Sequence, residues 1–145
     1  MTRKPLISVA IPAYNESANI VELWSRLTAM FEGLQNEYDF EVVVCENGSR
    51  DNTFEKLTQI KQIDSRLKIV QLSRNFHMEG GMLAALSEVS GDACVIMSAD
   101  LQDPPEMIPE MIQNGVRDLT MYTQSSRIGM GKANSVKSLQ KFSIG

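Results

Sequence analysis

An α/β fold, with a mostly parallel sheet covered by helices on both faces, is predicted by three observations. Short apolar runs rich in β-branched residues alternate along the chain with longer segments whose apolar residues recur every three or four positions. Turn and cap residues separate each run from the next. No internal repeat or low-complexity linker interrupts the order β-α-β-α-β-α-β-α-β, which demands right-handed crossovers between parallel strands.

Each element has its own justification. Leu6–Ile11 is aliphatic and β-branched and is expected to end at Pro12, which cannot donate to a ladder. After the loop Pro12–Glu16, Ile20, Leu23, Trp24, Leu27, Phe31 and Leu34 form one helical face, with Asn19 and Glu22 as a capping box and Trp24 in the core. Phe40–Cys45 is the second strand, and Gly48 suits the tight turn that follows it. Phe54, Leu57 and Ile60 mark the second helix, and Lys68–Leu72 the third strand. Past the polar loop Ser73–His77 and the pair Gly80-Gly81, a helix is expected from Met82, Leu83, Leu86 and Val89. Ala93–Met97 is the fourth strand. Asp103 and Glu106 then read as a second capping box, with Pro104 at the first helical position, Gly115 at the helix end and Leu119–Thr123 as a fifth strand.

A chain of 145 residues with 43% apolar and 22% charged content fits one soluble domain with a real core. Its net charge of −4 argues against a general nucleic-acid binder. The charge is uneven: from Leu119 onward there is no acidic residue, but Arg127, Lys132, Lys137 and Lys141 are present. A solvated helix face, a phosphate-binding loop and a segment lying on anionic lipid all suit that end. Cys45 and Cys94 sit in apolar runs as small buried hydrophobes, with no disulfide or metal site implied. With no stretch of about 18 apolar residues and no signal-peptide pattern, the expected compartment is the cytoplasm.

Ligands of such sheets bind outside the carboxyl ends of the strands. Four polar loops leave those ends: Tyr14-Asn15-Glu16, Glu46-Asn47-Gly48-Ser49, Arg74-Asn75 and Ser98-Ala99-Asp100-Leu101-Gln102. None carries a dinucleotide or P-loop glycine pattern. Asp100 and Gln102 are oxygen donors of the kind hard cations take, although strand-end and cap roles for Asp100 and Asp103 remain open. The rim suits a nucleotide whose diphosphate is held by a metal.

The motifs Val9-Ala10-Ile11-Pro12-Ala13-Tyr14-Asn15-Glu16, Glu46-Asn47-Gly48-Ser49-Arg50-Asp51, Leu72-Ser73-Arg74-Asn75-Phe76 and Ala99-Asp100-Leu101-Gln102-Asp103-Pro104-Pro105-Glu106 occur in this order. Together they resemble the family 2 glycosyltransferases, in particular the branch that transfers sugars to polyprenyl or dolichyl phosphates. The resemblance runs from about Ile7 to Arg127. It implies a GT-A, Rossmann-like fold, a nucleotide-diphosphate sugar donor, Mg²⁺ or Mn²⁺, and transfer with inversion to a polyprenyl-phosphate acceptor. By position, Pro12, Tyr14 and Glu16 would line the nucleoside pocket, and Glu46 would read the base edge. Asn47, Ser98 and Ala99 join them on the donor side, Asp100 with Gln102 would hold the metal, and Arg127 would contact phosphate at the reacting centre. The resemblance implies a pattern that commonly has aspartate where this chain has Asn47 and Ser98. His77 is expected to be a surface loop residue rather than a base.

Family members continue well past this length, so residues 1–126 are expected to be an incomplete donor core and 127–145 the basic start of an interfacial helix. That places the chain at the inner face of a membrane and leaves room for a homo-oligomer. The alternative is a non-catalytic nucleotide-sugar-binding module, or an inactive fragment, that lacks the acceptor site.

Overall fold

The computed structural model describes residues 3–115, 120–123 and 140–141. Strand β1 (Leu6–Ala13) leads into α1 (Ile20–Leu34), β2 (Asp39–Glu46), α2 (Thr53–Ile63), β3 (Leu67–Gln71), α3 (His77–Ser87) and β4 (Ala93–Ile96). A 3₁₀ turn (Pro105–Met107), α4 (Ile108–Gly115), β5 (Thr120–Thr123) and β6 (Gln140–Lys141) follow. The sheet order is β3-β2-β1-β4-β5-β6; β1 to β5 run parallel and β6 pairs antiparallel with β5. The predicted α/β sheet is therefore present. Apart from β6, the segment 127–145 expected to begin an interfacial helix lies outside the described residues.

Chain order moves outward from β1 to β3, then returns to β4 on the other side of β1. The switch point, and the crevice that accompanies it, thus lies between the carboxyl ends of β1 and β4. Pro12 contributes directly. It lies inside β1, not after it, because only its unpartnered side is affected: β1 continues to pair with β2 through Ala13 opposite Glu46. Toward β4 the pairing stops at Ala10 opposite Ile96, with the Met97 N–H bonded to the Ala10 carbonyl. The next rung would need an N–H that proline lacks, so the two strands part there.

Alternation along the strands sends residues to two unequal cores. On one face Ile7, Val9, Ile11, Val42, Val44 and Val95 meet α1, α2 and α4 through Leu23, Leu27, Phe31, Leu57, Ile108 and Ile112. Phe31 stacks on Phe40 with ring centroids 4.3 Å apart, and Trp24 packs partly buried against this cluster. The other face is a smaller cluster in which Ala10, Val43, Cys45, Cys94 and Ile96 lie beneath Ala85 of α3.

Several local expectations give way to tertiary contacts. Helix α3 begins at His77 rather than near Met82, so Gly80 and Gly81 lie inside it. Gly81 is there for close approach: a Cβ would stand 2.8 Å from Asn47 Nδ2 and 3.2 Å from Pro12 Cβ. Asn19 precedes α1, but its amide bonds the Glu16 carboxylate (2.9 Å) and makes no cap hydrogen bond. Glu106 forms no capping box either, because Arg26 of α1 grips it through two hydrogen bonds of 2.9 and 2.7 Å. Pro105, one residue later than expected, opens the 3₁₀ turn.

At the amino end of the sheet Glu41, only 6% exposed, is surrounded by donors. Ser8 Oγ and the Ser90 N–H each reach Oε1 at 2.6 Å, and Ser90 Oγ reaches Oε2 at 2.9 Å. Lys68 adds an ion pair at 2.8 Å. Burial alone would raise this carboxyl, yet Lys68, Ser8 and Ser90 together hold it down at about 2.

Candidate functional site

The rim at the carboxyl ends is built by cross-bonding between loops. Asn15, in the left-handed region with φ 52°, turns its N–H to Ser49 Oγ (2.9 Å) and accepts the Arg50 N–H on Oδ1 (2.9 Å). The Glu16 N–H donates to Thr53 Oγ1 (3.0 Å) and the Ser17 N–H to Asp51 Oδ2 (3.2 Å). Lys56 closes the seam on the Ser17 carbonyl at 2.6 Å. Burial opposes ionisation of Asp51, but donors from Thr53 and Ser17 hold its carboxyl down at about 2. These bonds lock the β1–α1 and β2–α2 loops into one unit.

Asn47 attaches the third loop. Its Oδ1 accepts the Phe76 N–H (2.9 Å) and its Nδ2 donates to the His77 carbonyl (2.8 Å), so both ends of the amide hold the start of α3. Beside it, Gly48 at φ 74° lets the Arg74 backbone pass; a Cβ would lie 2.4 Å from the Arg74 carbonyl carbon. Arg74 lays its guanidinium on the Phe76 ring, 3.8 Å from the centroid.

Glu46 is the residue that this construction leaves unfinished. It is 2% exposed, and its Oε1 accepts the Ser49 N–H at 2.7 Å. No other hydrogen bond and no cation reaches its carboxylate among the described residues, although its backbone carbonyl accepts the Leu72 N–H at 2.9 Å. A buried carboxylate with a free oxygen is costly unless a ligand supplies a donor. Tyr14, 38% exposed, presents an aromatic surface on the neighbouring loop.

The β4 loop is organised internally. Ser98 Oγ donates to Asp100 Oδ1 (2.6 Å), which also accepts the Gln102 N–H (3.1 Å). Between them Leu101 takes φ 65° while its side chain packs against the larger core. Asp103 does not cap a helix; its Oδ2 lies 3.3 Å from both the Ser98 N–H nitrogen and Ser98 Oγ.

The structure thus gathers Pro12, Tyr14, Glu16, Glu46 and Asn47 at one side of the crevice, and Ser98, Ala99, Asp100 and Gln102 at the end of β4. Ala99 is 2% exposed with its methyl in the core, so only its backbone can meet a ligand. Arg127 lies outside the described residues. Sequence reasoning overlooked the stitching roles of Asn15, Ser49, Asp51 and Thr53; their polar clustering after a strand was visible, their partners were not.

Among the described residues no group of three or more His, Cys, Asp or Glu could hold a metal ion. Asp100 nevertheless keeps Oδ2 without a partner there, at the mouth of the crevice. One hard oxygen fits an ion that completes its shell from a bound diphosphate and water.

Comparison with known proteins decides the family. The model of glycosyl transferase family 2 matches residues 8–140. The chain belongs to this family. Over 125 residues the family 2 chain is 37% identical to an uncharacterized glycosyltransferase of Synechocystis sp., covering 85% of this chain and 39% of that protein. It is 38% identical over 113 residues to the uncharacterized glycosyltransferase YkcC of Bacillus subtilis, covering 78% of this chain and 34% of the relative. The chain therefore spans less than half the length of these relatives. Among solved structures, the Pyrobaculum calidifontis mannosyltransferase PcManGT with GDP-Man and Mn²⁺ matches at a TM-score of 0.58, with 25% identity over 68% of this chain and 28% of that one. S. aureus TarS 1-349 with UDP-GlcNAc matches at 0.54, with 27% identity over 74% of this chain and 32% of that one. The fold of the family 2 chain is accordingly GT-A.

Proposed function

We propose that this family 2 chain holds the donor, a nucleoside-diphosphate sugar, in the crevice between β1 and β4 for inverting transfer to a polyprenyl phosphate. The observation that carries this reading is Glu46: a nearly buried carboxylate at the rim, with one oxygen free of partners among the described residues and exposed Tyr14 on the neighbouring loop, suits an N–H donor on a flat ring. A nucleobase edge provides both. Two structural relatives crystallised with GDP-Man and with UDP-GlcNAc support the ligand class.

In this reading Pro12, Tyr14 and Glu16 border the nucleoside, Asn47 keeps the third loop in place, and Asp100 with Gln102 faces the diphosphate. A divalent ion, Mg²⁺ or Mn²⁺, would neutralise charge on the departing diphosphate. By the resemblance, Arg127 would add a guanidinium to stabilise the same charge. The acceptor is an already ionised phosphate, so no residue has to remove its proton. Attack on the anomeric carbon from the face opposite the diphosphate inverts that centre, the C–O bond to the diphosphate breaking as the new one forms. The basic end would bring the chain to the anionic inner face of a membrane; among the described residues no helix is long and apolar enough to cross one.

Calorimetric titration with UDP- and GDP-sugars, with and without Mn²⁺, tests the donor reading. One nucleotide should bind in preference and more tightly with metal; flat titrations for both would refute it. Turnover on addition of polyprenyl phosphate separates a transferase from a donor-binding module that releases its ligand unchanged.

A further inference from the structure

Within the donor site just proposed, and resting on that reading, Ser98 heads the loop after β4 at a position where the resemblance implies an aspartate. Its hydroxyl is already committed. A serine has one proton to donate, and the 2.6 Å contact gives it to Asp100 Oδ1 rather than to Asp103 Oδ2 at 3.3 Å. The Ser98 N–H turns to Asp103 instead. One residue therefore holds two carboxylates by two different donors. The Gln102 N–H adds a second bond to Asp100 Oδ1, and core-anchored Leu101 maintains the left-handed bend that makes this possible.

From this we infer that Ser98 is a positioning residue and not a metal ligand: it and Gln102 occupy Oδ1 of Asp100, leaving Oδ2 as the oxygen offered to the ion, while Asp103 steadies Ser98 from behind. The arrangement replaces an aspartate that would add charge with a hydroxyl that adds direction. Partners behind a ligand typically contribute about 10–100-fold to metal affinity.

The test uses the 145-residue chain with Mn²⁺ and whichever of UDP and GDP it binds. Free Mn²⁺ is read by electron paramagnetic resonance, and metal-free nucleotide affinity by calorimetry. Ser98→Ala should weaken Mn²⁺ by about 10–100-fold while leaving metal-free nucleotide affinity unchanged. Ser98→Thr, which keeps the hydroxyl, should restore it. Asp103→Ala should act in the same direction, and the double variant should be no weaker than Ser98→Ala alone. Ser98→Cys should keep the wild-type ratio of Cd²⁺ to Mn²⁺ affinity, because a thiol that does not touch the ion confers no preference for a soft metal. A raised ratio would make residue 98 a ligand and overturn the inference, as would wild-type Mn²⁺ affinity in Ser98→Ala or failure of Ser98→Thr to restore it. A wild-type chain that binds nucleotide with no metal dependence would overturn it too, leaving the nucleotide pocket standing. No nucleotide binding at all would remove the donor reading itself.

Discussion

Strand β2 carries two buried glutamates, one near each end, and they are treated in opposite ways. Glu41 is 6% exposed and has a lysine, two serine hydroxyls and a backbone N–H around it. Glu46 is 2% exposed, and its carboxylate has the Ser49 N–H alone among the described residues. The sheet can bury a carboxylate completely when every lone pair finds a donor, so incomplete partnering at the other end is not a limitation of the fold. It lies where ligands of parallel sheets bind. The difference separates a carboxylate that serves the fold from one held for a ligand.

The comparison breaks most visibly at Glu41. Glu41→Ala would leave the Ser8 and Ser90 donors facing a cavity while half-exposed Lys68 turns to water, and the expected loss is about 3 kcal/mol in denaturant unfolding. Nucleotide affinity of the folded fraction should not change. The same carboxyl gives an acid signature. Its folded value of about 2 lies below the ordinary carboxylate value of 4.5, so its contribution is full above that value and disappears as pH falls toward 2. Stability measured from pH 6 to pH 2.5 should fall less steeply in Glu41→Gln than in the wild type; parallel curves would show that Glu41 does not carry the effect.

At Glu46 the pattern should reverse. Glu46→Gln keeps an oxygen for the Ser49 N–H and nearly the same shape, so unfolding should change by less than about 1 kcal/mol. Its amide, however, would point a donor at a donor. Losing a hydrogen bond to a charged group is worth about 1.5–3 kcal/mol, which predicts roughly a 10–100-fold loss of nucleotide affinity in calorimetry. If Glu46→Gln lost as much stability as Glu41→Ala while its folded fraction bound nucleotide normally, the two glutamates would have the same role.

The same contrast explains what the sequence could and could not show. The order of strands and helices was legible because apolar runs such as Leu6–Ile11 and Phe40–Cys45 need only alternation to be recognised. Once a parallel sheet is inferred, chain order alone brings Tyr14, Glu46, Arg74 and Asp100 to one rim. Partner choice was not legible. Asn19, Asp103 and Glu106 had the right spacing for caps, but each found a stronger or better placed partner: Glu16, Ser98 and Arg26 respectively. Helix α3 was expected to start after Gly80-Gly81 because the reason for glycine at 81, the approach of α3 to Asn47 and Pro12, belongs to residues distant in sequence.

Asn47 gives the finest test, because family pattern and local geometry make different demands there. The pattern favours aspartate, and Asn47→Asp would restore it while leaving an acceptor for the Phe76 N–H. The other end of the side chain decides the outcome. Nδ2 donates to the His77 carbonyl at 2.8 Å in a position 2% exposed, and a carboxylate would set two acceptors against each other without water between them. A loss of about 1–2 kcal/mol is expected, together with faster amide exchange at the start of α3 and weaker nucleotide binding as the third loop comes away from the rim. Unchanged stability and tighter binding would instead mean that α3 can shift to release the carbonyl, and that the asparagine had been limiting a site built for an acid.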